Sequence, residues 1–140
     1  MNKNNLQDLA KIANAKVSAE ASLLSAITAE ERELRRKLAD LDNHQTRMRD
    51  IADERITTMR AIGADVLWQG WIARSRRHLH IRLAQVLARK SQAIAAYQAV
   101  CGQQTAINDL IERERRHRHQ EKARADQDAQ QFLNILKSAV

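Results

Sequence analysis

From Leu6 onward the chain places an apolar residue at nearly every seventh position, and a second series follows four residues behind the first. One series reads Leu6, Ala13, Glu20, Ile27, Leu34, Leu41, Met48, Arg55, Ile62; the other reads Ala10, Val17, Leu24, Glu31, Leu38, Gln45, Ala52, Met59, Val66. Fourteen of these eighteen positions are apolar. A 3.5-residue spacing held over so many turns calls for a partner helix along its length. A second seam follows as Ile72, Leu79, Leu83, Val86, Ala93, Tyr97, Val100, Ile107 and Ile111, interrupted by Lys90 and Gln104, polar residues of the kind that set register.

Between the two seams lies a compositional break, Gly63-Ala-Asp-Val-Leu-Trp-Gln-Gly-Trp71, which holds two of the three glycines and both tryptophans. Gly63 suits a left-handed residue closing a helix. The pattern predicts an all-α fold, a long antiparallel two-helix coiled-coil hairpin forming a single domain over residues 1–140. Helix 1 is expected over about 5–62, starting at an Asn cap, the break over about 63–71, and helix 2 over about 72–137. Thr28 and Glu31 have capping-box spacing, but the heptads run through them in phase, so no helix start is expected there. One short turn between helices of similar length favours a monomeric hairpin over a parallel homodimer of longer helices.

Composition agrees. Aromatic residues make up 3% of the 140, proline is absent, and Ala, Leu, Arg, Gln and Glu dominate. A single cysteine, Cys101, excludes an internal disulfide and reads as a small apolar seam residue. No run approaches the roughly 18 apolar residues of a membrane span, and the opening residues lack a signal peptide's apolar stretch. A cytoplasmic protein is the expectation.

The net charge of +7 is uneven. Residues 1–62 hold eleven Lys/Arg against ten Asp/Glu; residues 63–140 hold thirteen against seven. The second half therefore favours an acidic partner. Basic runs occur at Arg35-Arg36-Lys37, at Arg74, Arg76 and Arg77, and from Arg113 to Arg118. Acidic residues interleave the first and last, which suits ion pairs on a solvated helix, and aromatic stacking platforms are scarce. Nucleic acid is thus the weaker reading, and Arg113, Arg115, Arg116 and Arg118 are candidates for a protein-binding face near the open end of the hairpin. The pairs His78/His80 and His117/His119 lie two residues apart, on opposite sides of a helix, and cannot share one metal. No phosphate loop, nucleophile elbow or zinc-protease motif occurs, and no enzyme, cofactor or metal site is expected.

Trp68 and Trp71, with Val66, Leu67 and Ile72, concentrate apolar surface at the break. They either pack inward to close the seam or leave a tryptophan exposed as a partner anchor. Beyond residue 111 the apolar signal fades, to return as Phe132, Leu133, Ile135 and Leu136. That end either folds back over Leu6 and Leu9 or orders on a partner.

The stretch Leu34-Arg-Arg-Lys-Leu38-Ala-Asp-Leu41-Asp42, followed by Gln45, resembles a Leu-Arg-x-Lys-Leu-x-x-Leu-Asp run in the first helix of the FliJ/YscO family, the coiled-coil stalk proteins of type III secretion export ATPases. Trp68-Gln69-Gly70 resembles a Trp-Gln-Gly in the middle of an injectisome member. Chain length, the position of the break and the polar last third are also similar. The resemblance implies a non-enzymatic central stalk whose paired termini enter a hexameric secretion ATPase and whose other end reaches the export gate protein at the inner membrane, with secretion chaperones as further partners. It carries over no catalytic residue. The rival readings are a basic helical nucleic-acid-binding protein and a generic coiled-coil scaffold or adaptor.

Overall fold

The computed structural model describes the backbone of residues 2–55 and 59–140 and the side chains of residues 2–51 and 63–140. It is all-α, with α1 over Lys3–Arg55 and α2 over Met59–Ser138. The seam positions Ala52, Arg55, Met59 and Ile62 lie outside the described side chains.

α1 starts two residues before the expected Asn5. The carbonyl of Asn2 accepts from the amides of Asn5 at 3.0 Å and Leu6 at 3.3 Å, so Asn2 stands at the cap position. Thr28 lies mid-helix, its hydroxyl donating to the Leu24 carbonyl at 2.8 Å. The expected break over 63–71 is instead helical and belongs to α2. Neither Gly63 nor Gly70 has a positive φ. Glycine permits a left-handed stop but does not impose one, and in a helix interior it costs only about 1 kcal/mol. The segment's aliphatic and aromatic residues extend the helix through it.

The chain divides into two compact units. In the unit over residues 20–97, α1 and α2 pack antiparallel: Glu30 and Glu31 meet Arg89 and Lys90, whereas Asp42 and Gln45 meet Arg76. Its core joins Ile27 and Leu34 to Leu83, Val86 and Ala93, flanked by Leu24, Leu38 and Leu79. Leu34, Ile72 and Val86 are the largest side chains sealed from solvent. Each contributes about 1.5–3 kcal/mol by leaving water.

In the unit formed by residues 1–19 and 98–140, Leu6 and Ala13 are buried and Val100, Cys101, Ile107 and Ile111 are half-buried. Gln104 donates to Asn14 at 2.7 Å. Burial at seven-residue intervals, with half-burial at the companion positions, is the coiled-coil arrangement read from the sequence. Lys3 lies beside Ile111, Glu114, Arg115 and Arg118, and α2 continues for a further twenty residues, 119–138. At about 1.5 Å per residue this is roughly 30 Å of helix. Every residue from 115 to 140 is exposed. Phe132 and Leu136 do not close over Leu6 and Leu9: α2 stays helical to Ser138 and leaves both exposed.

Candidate protein-binding surfaces

One polar interruption of the first seam, Glu31, meets one of the second, Lys90. Lys90 Nζ lies 2.6 Å from Glu31, which also accepts from Arg35 at 3.0 Å. The Lys90 bond first, then that of Arg35, holds the Glu31 carboxyl below its ordinary range. Arg76 donates to both Gln45 and Asp42 at 2.6 Å. Arg89 forks onto the two Glu30 oxygens at 2.9 Å. These charges serve the pairing of the two helices and are not free for a partner. Among the described residues, Glu20 has a carboxylate oxygen, Oε2, buried without a hydrogen bond.

The arginines read as one binding face encircle α2 instead. Successive residues turn by about 100°, so Arg113, Arg115, Arg116 and Arg118 point in four directions. Arg115 binds Glu112 through two nitrogens at 3.1 and 2.9 Å, Arg116 binds the same carboxylate at 3.2 Å, and Arg118 binds Glu114 at 3.2 Å. The Arg115 and then the Arg116 hydrogen bonds pull the Glu112 carboxyl down to about 2. Arg113 makes no ion pair among the described residues; it borders a shallow groove with Leu6, Leu110 and His117. These side chains form a charged collar around the last paired turn of the hairpin, in which Arg113 has no ion pair among the described residues.

The tryptophans divide. Trp68 is half-buried, its ring 6.2 Å from that of His44 on α1 and tilted by 49°. Trp71 stands 49% exposed, beside Leu67 at 75%. Ile72, next in sequence, is buried. The first tryptophan thus packs against α1, and the second faces solvent.

The basic residues at 74–82 are where the sequence-based reading fell short. Arg74, Arg77 and Arg82 are exposed and make no ion pair among the described residues, unlike Arg76 between them. The available signal was the absence of Asp and Glu from Val66 to Asn108, a span of 43 residues with six Lys/Arg.

Among the described residues no group of three His, Cys, Asp or Glu is placed to hold a metal ion, and no helix is long and apolar enough to cross a membrane. No protein-family model, curated protein or solved structure matches this chain.

Proposed function

We propose that this chain is a non-enzymatic stalk that engages a hexameric secretion ATPase through its α2 end and couples it to the export gate. The observation that carries the reading is the unpaired last stretch of α2. Residues 119–138 form a helix with no α1 opposite, and Phe132, Leu133, Ile135 and Leu136 are each about half exposed or more. A helix that leaves such residues in water obtains burial from another protein. The charged collar at Glu112–Arg118 marks where the paired hairpin gives way to the single helix, and a ring lumen bearing carboxylates would meet Arg113 there. The likeness of Leu34–Asp42 and Trp68–Gly70 to the export-ATPase stalk proteins supplies the partner class.

The test adds the purified chain to a hexameric type III export ATPase and follows phosphate release. Sub-stoichiometric chain is expected to raise turnover. The pair Arg113→Glu and Arg116→Glu is expected to remove the stimulation with helicity unchanged, since Arg115 still neutralises Glu112 in the variant. Turnover indifferent to the wild-type chain would end the stalk reading.

A further inference from the structure

α2 carries a second stripe that α1 does not use. Leu67, Trp71, Arg74, His78 and Ile81 recur at spacings of four, three, four and three residues, and all are exposed. At about 100° per residue they share one flank of α2, roughly 130° round from the Ile72–Leu83–Val86 edge that faces α1. Leu67 is 75% exposed and Ile81 50%. The Arg74 guanidinium lies over Gly70, 3.8 Å from where a Cβ would sit. Arg77 and Arg82 border the stripe on its two sides. Neither they nor Arg74 makes an ion pair among the described residues, and no Asp or Glu occurs on α2 between Asp65 and Asp109.

We propose that this stripe is a docking surface for an acidic amphipathic helix of a partner protein. The spacing is that of a coiled-coil seam, so the complementary object is a helix laid along α2. Trp71, Leu67 and Ile81 would receive its apolar residues. Carboxylates at its margins would face Arg77 and Arg82, the flanking positions that choose partners in paired helices. The charge is complementary to acid, because Arg74, Arg77 and Arg82 have no counter-ion among the described residues. A membrane surface fits less well: Arg74 and His78 stand within the stripe between Trp71 and Ile81, so no continuous apolar face is available to enter lipid. Nucleic acid would leave Leu67 and Ile81 uncovered and finds a single exposed indole to stack on. The surface stands whether or not the far end of α2 enters an ATPase ring.

The experiment uses the full chain with Trp68→Phe, so that Trp71 is the sole tryptophan, and a designed 21-residue helical peptide with Leu at its seam positions and Glu at its margins. Titration is expected to shift Trp71 emission to the blue with saturable binding. Arg77→Glu with Arg82→Glu is expected to weaken binding by at least about tenfold, with an unchanged circular dichroism melt because both residues are exposed. A peptide with Lys in place of Glu is expected to bind that reversed chain and not the parent. Equal binding of the Glu and Lys peptides to the parent would overturn the proposal. So would failure of the charge exchange to restore binding, or saturable binding of phosphatidylserine vesicles or duplex DNA without the peptide.

Discussion

At the residue scale the informative positions are the polar ones in the seam. Glu31 and Lys90 each look like faults in an apolar pattern, yet they form one bond, and Arg76 with Gln45 forms another. Sliding one helix by a turn would break both and strand four polar groups between apolar neighbours, a penalty that selects the observed register. Lys90→Ala is therefore expected to lower the melting temperature more than Arg35→Ala, since it removes the largest influence on the Glu31 carboxylate. Glu31→Leu with Lys90→Leu is expected to restore the melt while broadening the distribution of registers, read by cysteine cross-linking between the helices. A lone Lys90→Ala variant that melts like the parent would remove this account. The pH dependence has a definite sign. Glu31 and Glu112 both have carboxyls held below their ordinary 4.5, so their bonds contribute above that value and are lost as the pH falls. For Glu112 the loss runs from about 4.5 down to about 2, and should appear as weakening of the helix around Glu112 in acid-titrated hydrogen exchange. Leu34→Ala, in the sealed part of the seam, is expected to cost about 2–5 kcal/mol in denaturant unfolding.

At the element scale, the two seams were legible because a seven-residue period survives any local propensity. Leu6, Ala13, Ile27, Leu34 and Leu41 are buried where the period puts them, and Ile72, Leu83, Val86 and Ala93 answer from α2. The end of helix 1 was not legible, for a physical reason. Gly63 and Gly70 signal that a helix can stop, while Leu67, Trp68, Trp71 and Ile72 supply residues able to carry it on, and local composition does not weigh the two. The candidate site was legible only in part. An exposed tryptophan was one of two readings of this segment, and which tryptophan faces out depends on the phase of α2 against α1. The four arginines at 113–118 were adjacent in sequence and dispersed around the helix. The glycines test the continuity of α2. An added Cβ at Gly63 or Gly102 meets nothing within 4 Å, and at Gly70 it meets only the flexible end of Arg74. Each Gly→Ala change is thus expected to stabilise by about 0.5–1 kcal/mol, as at an ordinary helix interior. Loss of stability at Gly63→Ala or Gly70→Ala would instead return the chain reversal to the glycines.

At the scale of the whole molecule, the stretch of α2 that carries the core is not the stretch proposed to engage the ATPase. Among the described residues, those buried on that helix lie between Ile72 and Ala93, half-burial continues to Glu114, and nothing from 115 to 140 is sheltered. The final segment nonetheless keeps Phe132, Leu133, Ile135 and Leu136 in water, which costs solubility and adds nothing to the hairpin's own core. On the proposed stalk reading these residues meet another protein, and deletion separates that role from folding. A chain ending at Arg118 retains the seam, the charged collar and the stripe from Leu67 to Ile81. Its unfolding free energy is expected to stay within about 0.5 kcal/mol of the full chain, the range of changes remote from any packed group. Stimulation of the export ATPase is expected to disappear, and binding of the acidic helical peptide at Trp71 to be untouched. If the shortened chain melts well below the parent, residues 119–138 are part of the folding core and their exposure has been misread. If it melts normally and still stimulates the ATPase in full, the unpaired helix is not the engaging end, and the stripe around Trp71 becomes the surface to pursue.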